Sequence, residues 1–157
     1  MSPIPTDGTP LFFQDVQSNL CLSLLGEQVY LRPLAEATQF RLTLQMNDNN
    51  NNEYFSFGIQ GSTGRYLGQT SFENIVASSP TCLGWEHFRL VDCSTETETL
   101  VAFLLVQSKS GDGKYLGVET NSTLITLTDN LNYALRFRYT SECQAIIKAV
   151  QYAAQQA

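Results

Sequence analysis

The chain has 157 residues, of which 43% are hydrophobic and 15% are charged, so it fits a single globular domain and not a disordered chain. Nine Lys and Arg against fifteen Asp and Glu leave a net charge of −6, which argues against nucleic acid and anionic lipid as partners. No stretch approaches the roughly 20 apolar residues that a membrane-spanning helix needs, so no membrane span is expected.

The N-terminal residues 1–10 are polar and rich in proline, which predicts an extended lead-in. They lack the charged start and apolar core of a signal peptide, so we expect a cytoplasmic protein, or one released without such a signal. The four cysteines have no C-x-x-C spacing, and we expect them to be thiols rather than zinc ligands. Cys82 and Cys93 flank a strand candidate, and whether they pair depends on the compartment.

An internal repeat follows the lead-in. Phe40-Arg41-Leu42, Phe88-Arg89-Leu90 and Phe137-Arg138-Tyr139 begin at intervals of 48 and 49 residues. Gly64-Arg65-Tyr66-Leu67-Gly68 returns as Gly113-Lys114-Tyr115-Leu116-Gly117. A period of this length indicates one supersecondary unit in three copies. We expect Phe40, Phe88 and Phe137 in equivalent buried positions, Leu67 and Leu116 buried in the shared core, and Gly64 and Gly113 in hairpin turns.

Each copy reads as four short strands, with turns between the first three and a longer loop before the fourth, which is an all-β pattern. A propeller needs at least four blades, whereas three units match a closed barrel capped by three hairpins. The sequence therefore predicts an all-β fold, a β-trefoil with pseudo-threefold symmetry over residues 11–140. Its three repeats cover about 11–46, 53–93 and 100–140.

The period changes after Tyr139, where residues 141–157 predict a short C-terminal α-helix. Ser141 and Gln144 have capping-box spacing, and the apolar residues that follow recur at helical intervals: Cys143, Ile146, Ile147, Val150 and Ala154. The helix either packs on the barrel or meets another chain, which makes a homodimer possible.

Little in the sequence predicts catalysis. His87 is the only histidine, which disfavours a histidine-relayed nucleophile and most zinc sites. Phosphate-binding and nucleophile-elbow motifs are also missing from the sequence. We therefore expect a protein that is not an enzyme and that needs no cofactor or metal.

The segment from Gly84 to Leu90, followed by Phe103-Leu104-Leu105-Val106 and the Gly113 to Gly117 motif, resembles the fascin-like branch of the β-trefoil superfamily. That branch includes fascin, hisactophilin and fascin-like modules. The resemblance implies a fold more than a function, because trefoils host many functions. The Gln-x-Trp triplet of ricin-type lectins is absent, so their sugar-binding residues cannot be transferred.

These observations predict a binding module that recognises its ligand through polar loops of the second and third copies. We expect a lectin-like protein whose partner is a carbohydrate or glycoprotein. The alternatives are a protein partner, as for a protease inhibitor, cytoskeletal adaptor or cytokine-like factor, and an accessory domain docked through the C-terminal helix. Trp85 is either a platform for a sugar ring or a plug of the barrel. The candidate ligand-binding residues are Gln69, Glu73, Asn74, Trp85, Asp112, Lys114, Glu119 and Asn121.

Overall fold

A computed structural model describes residues 7–45, 56–70, 74–82, 84–109, 111–141 and 155. Within them the chain forms twelve β-strands, all paired antiparallel. The strands are β1 (Asp7–Asp15), β2 (Cys21–Leu25), β3 (Gln28–Arg32), β4 (Phe40–Gln45), β5 (Ser56–Gln60), β6 (Tyr66–Gln69), β7 (Ile75–Ser79), β8 (Phe88–Asp92), β9 (Val101–Leu105), β10 (Lys114–Val118), β11 (Ile125–Thr128) and β12 (Phe137–Ser141).

The strands form one sheet whose hydrogen-bonded order is β11-β10-β9-β12-β1-β2-β3-β7-β6-β5-β4. Strand β8 pairs with both β5 and β9, and β1 also pairs with β4. Six strands therefore close a ring of pairings, β1-β4-β5-β8-β9-β12. The other six form three hairpins, β2–β3, β6–β7 and β10–β11.

The prediction of a β-trefoil with three equivalent units was wrong: the described strands form one continuous twelve-stranded antiparallel sheet. The three hairpins do not join it alike. Strand β3 pairs with β7 through Gln28 and Val76, whereas Tyr30 meets Leu124 only in an isolated bridge. Strand β1 has nine residues, while β5 and β9 have five each. A repeated sequence motif fixes each local hairpin, but it cannot fix how one hairpin pairs with the next.

The core follows from period-2 alternation along the strands. In β3, Val29 and Leu31 are buried while their neighbours are not, as expected for a sheet with one face in the core. The first residue of each repeated Phe-Arg element, Phe40, Phe88 or Phe137, is completely buried in a single apolar cluster. Large buried aromatic side chains contribute most of the apolar area that stabilises such a cluster.

The repeated Tyr-Leu elements lie on β6 and β10, and Leu67 and Leu116 are completely buried, as predicted. The turn glycines match the prediction only in part. Gly64 has a positive φ of 84°, but in the other hairpin the positive φ of 92° belongs to Gly111 and not to Gly113.

Three 3₁₀ helices precede the strands that start with these phenylalanines: Leu34–Glu36 before β4, Gly84–Glu86 before β8 and Leu131–Tyr133 before β12. The sequence analysis expected only longer loops there. The predicted C-terminal helix falls on residues 141–157, of which Ser141 ends β12 and Gln155 has helical backbone; the remainder lies outside the described residues.

Candidate functional site

The structure divides the predicted ligand-binding residues into two groups at opposite ends of β10. Gln69 ends β6, and Asn74 and Asp112 belong to turns, all at one end, whereas Glu119 and Asn121 belong to the hairpin turn at the other. The five residues of β10 span roughly 16 Å at about 3.3 Å per residue. Glu73 lies outside the described residues. The candidates therefore do not form one site.

The first group is held by contacts within the protein. The side-chain oxygen of Gln69 accepts a hydrogen bond from the backbone N–H of Lys109 at 2.5 Å, and Gln69 is buried. The main chain of Asn74 closes its own turn, because Thr70 N–H donates to the Asn74 carbonyl at 2.8 Å. The carbonyl of Asp112 likewise accepts from the backbone and the hydroxyl of Ser108. Gln69 thus acts as a connector between two turns.

Trp85 is half-buried in the 3₁₀ helix Gly84–Glu86. This helix packs tightly on β6: a Cβ added to Gly68 would lie 2.8 Å from the Trp85 carbonyl oxygen and 2.6 Å from Cγ of Glu86. Lys114 is half-buried as the first residue of β10. The contact with Gly68 involves the main chain of Trp85, so the two roles considered for its ring both stay predictions.

The second group borders a spacious recess. This groove has a volume of about 1310 Å³ and is lined by Leu31 and by residues from 15–20, 117–128 and 132–135. Glu119 lines it and is exposed to solvent. Asn121, at a positive φ of 57°, lies on a shallower adjoining recess instead.

One wall of the groove is the turn after β1. Asp15 is buried, and its Oδ2 accepts hydrogen bonds from the backbone N–H of Ser18 at 3.0 Å and from the Ser18 hydroxyl at 2.7 Å. Such an Asx-type turn forms because the aspartate side chain substitutes for a backbone acceptor. It places Gln17 and Ser18 on the groove.

A second wall of the groove is the 3₁₀ helix Leu131–Tyr133. The Asn130 side chain caps it by accepting a hydrogen bond from the Asn132 N–H, and Leu135 N–H donates to the Leu116 carbonyl at 3.0 Å. Gly117 allows this close approach, because a Cβ there would lie 3.2 Å from Cγ2 of Thr128 and 3.5 Å from the Tyr133 carbonyl. Tyr133 lines the groove and is 73% exposed to solvent.

The groove is also lined by residues that were not among the candidates predicted from the sequence, namely Tyr133, Asn132 and Asp15. A signal for Tyr133 was present: Tyr133 and Trp85 each stand shortly before a repeated Phe-Arg element, in corresponding 3₁₀ helices. The aromatic platform was sought in the second copy, but the exposed ring belongs to the third. No comparable signal marks Asp15, because its neighbourhood depends on the pairing of β1 with β12.

His87 lies directly before β8, and its Nδ1 is 2.9 Å from the hydroxyl of Ser56. Within the described part of the chain, no group of three or more His, Cys, Asp or Glu residues is arranged to hold a metal ion. No helix in that part has the length and apolar character to cross a membrane.

Cys82 and Cys93 are thiols. Burial, and secondarily the charge of Glu86, raises the pKa of Cys82 to about 11, so its reactive thiolate is scarce at neutral pH.

Comparison with known proteins gives a structural neighbour but no family. No protein-family model matches the chain, and no curated protein matches it. The crystal structure of a lysenin pore is similar with a TM-score of 0.59 and 11% sequence identity, covering 88% of this chain and 48% of that one. The chain therefore corresponds to about half the length of that protein, and at this identity the likeness concerns the fold alone. This neighbour is a pore protein and not a member of the fascin-like branch, so that resemblance stays a prediction.

Proposed function

We propose that this protein is a non-catalytic, lectin-like module that binds glycans in the groove between the turn after β1 and the β10–β11 hairpin. The observation that carries the proposal is the exposed Tyr133 ring beside a groove of polar side chains. Sugars present flat C–H faces that pack on aromatic rings, while their hydroxyls bind carboxylates, amides and other hydroxyls.

The groove offers each of these chemical groups. Carboxylates come from Asp15 and Glu119, and amides from Gln17 and Asn132. The hydroxyl groups along the groove are those of Ser18, Thr120, Ser122, Thr123, Thr126 and Thr128. A few directional polar groups around one apolar platform give orientation and specificity to a small-ligand site.

A glycan array tests the proposal, followed by calorimetry with the best ligand. We expect the Tyr133→Ala variant to bind at least tenfold more weakly at an unchanged melting temperature, because the ring is largely exposed in the free protein. Tyr133→Phe keeps the ring and is expected to retain most of the affinity.

Asp112→Ala is the matched control, since Asp112 is exposed but lies at the other end of β10. If Asp112→Ala abolished binding and Tyr133→Ala did not, the groove would be the wrong site. A blank array would overturn glycan binding and favour a protein partner.

A further inference from the structure

We infer that the groove selects neutral oligosaccharides and rejects glycans that carry carboxylate or sulfate groups. This inference rests on the proposed glycan-binding function and adds the class of ligand. It is carried by two properties of the described groove, the sign of its charged side chains and its volume.

The charged residues that line the groove in the described part of the chain are Asp15 and Glu119, and neither Lys nor Arg lines it there. Asp15 is fixed in the wall by its two hydrogen bonds from Ser18. Glu119 is exposed at the hairpin turn, where its backbone N–H donates to the Leu124 carbonyl at 3.0 Å and its carbonyl accepts from Ser122 N–H at 3.1 Å. The turn therefore fixes the main chain that carries this exposed carboxylate at the groove.

Arg136 is a cationic side chain close to one of these two carboxylates, that of Asp15. It lines an adjoining recess of about 160 Å³ that shares Asp15, Gln17 and Asn132 with the groove. Arg136 can thus offset the charge of Asp15 but lies outside the lining that contains Glu119. A sugar carboxylate or sulfate in the groove would meet the Glu119 charge within a protein whose net charge is −6. Like charges brought together at a binding site oppose association and suppress such ligands.

The volume of the groove indicates that it accommodates more than one sugar ring. Pockets that bury most of a drug-sized ligand have about 300–1,000 Å³, and this groove, at about 1310 Å³, is more spacious. A single ring would leave most of the polar lining in water. We therefore expect tetrasaccharides to compete for the site at concentrations at least tenfold lower than the corresponding monosaccharides.

The test uses an array on which each neutral oligosaccharide has a sialylated and a sulfated counterpart, followed by calorimetry on the best neutral ligand and its acidic partner. We expect the acidic partner to bind at least tenfold more weakly in 20 mM salt. The difference should narrow in 500 mM salt, because salt screens exposed charges. Glu119→Gln should also narrow it, to less than threefold.

Glu96→Gln removes the same charge from an exposed loop residue that does not line the groove, and it should leave the difference unchanged. Equal binding of neutral and acidic glycans would overturn the inference while leaving the proposed function standing. A preference unaffected by both Glu119→Gln and salt would also overturn it, because the selection would then be steric. Absence of binding to every glycan would overturn the proposed function, and this inference with it.

Discussion

Nε of Arg138 on β12 donates a hydrogen bond to Oε1 of Glu98 at 2.6 Å, which ties the last described strand to the loop before β9. Nη1 of the same guanidinium lies 3.1 Å from Oε1 of Gln14 and 3.1 Å from Oδ1 of Asn19. Gln14 also donates to the Asn19 carbonyl at 2.8 Å. Arg138 therefore stabilises the turn after β1, which forms one wall of the groove.

Replacing Arg138 with Leu is expected to lower the free energy of unfolding by about 1–2 kcal/mol, because three charge-assisted hydrogen bonds, two of them partly buried, are lost together. Arg32→Leu is the matched control, since Arg32 forms an ion pair with Glu36 in which the two side chains are 30% and 50% exposed, respectively. An exposed i,i+4 pair of this kind contributes at most about 0.5 kcal/mol. Urea denaturation of both variants measures the difference, and equal losses would contradict the role assigned to Arg138.

Phe13 is expected to be among the most costly side chains to truncate. Its ring is completely buried and meets Phe103 edge-on, with centroids 5.1 Å apart and an interplanar angle of 85°. Phe13→Ala should cost about 3–5 kcal/mol of stability through lost burial and the cavity left behind. Phe12→Ala, one position along β1 on the other face and only half-buried, should cost clearly less. Thermal and urea unfolding of the two variants would show whether β1 has this register.

The β-rich character, the turns and the buried positions were predictable from the sequence, because alternation and turn residues are local signals. The repeated motif correctly predicted that Phe40, Phe88 and Phe137 are buried. The sheet as a whole was not predictable, because the β3–β7 pairing joins positions almost 50 residues apart through a single residue pair, Gln28 and Val76. No local pattern encodes such a contact.

The surroundings of the candidate residues were less predictable than the strands. Of the candidates, Glu119 lines the groove and Asn121 lies beside it, whereas Gln69 is engaged with Lys109. Polarity in a loop indicates exposure, but it does not say toward which neighbour a turn points. The groove is formed by residues of the first and third copies, which the pairing of β1 with β12 brings together. The sequence had predicted a ligand site in loops of the second and third copies.

Asn121 has a structural requirement of its own, because its φ of 57° lies in the left-handed region. Asparagine and glycine tolerate this conformation, whereas β-branched residues are strained by it. Asn121→Gly should change the free energy of unfolding by less than about 0.5 kcal/mol, and Asn121→Val should lower it by about 1–2 kcal/mol. Chemical denaturation compares them. A loss of glycan affinity in Asn121→Gly at full stability would assign a binding role to this side chain after all.

The thiol of Cys82 should react slowly with alkylating reagents until the pH is high. Its folded-state pKa of about 11 exceeds the ordinary value of 9.0, chiefly because burial disfavours the thiolate. Because unfolding makes ionisation of the thiol easier, the contribution of Cys82 to stability is complete below pH 9 and is lost as the pH rises toward 11. Iodoacetamide labelling followed by mass spectrometry should give a titration midpoint near 11 in the folded protein and near 9 in urea. A folded-state midpoint at or below 9 would contradict the burial of this side chain.

Gly68 and Gly117 occupy the same position in the repeated Tyr-Leu-Gly motif, and their replacement by alanine should have unequal effects. A Cβ on Gly68 would come within 2.8 Å of the Trp85 carbonyl oxygen, which is main chain and cannot move without shifting the 3₁₀ helix before β8. A Cβ on Gly117 would instead meet a methyl group of Thr128 at 3.2 Å and the Tyr133 carbonyl at 3.5 Å, which requires a shift of only a few tenths of an ångström. We expect Gly68→Ala to lower the free energy of unfolding by about 2–3 kcal/mol and Gly117→Ala by about 1 kcal/mol or less.

The two glycine variants should also differ in which part of the protein they disturb. Gly68→Ala should shift the fluorescence of Trp85, the only tryptophan, and spare the glycan groove. Gly117→Ala should leave that fluorescence unchanged and weaken glycan binding by displacing Tyr133. Equal stabilities together with an unchanged Trp85 spectrum in both variants would show that the 3₁₀ helix before β8 does not pack on β6 in this way.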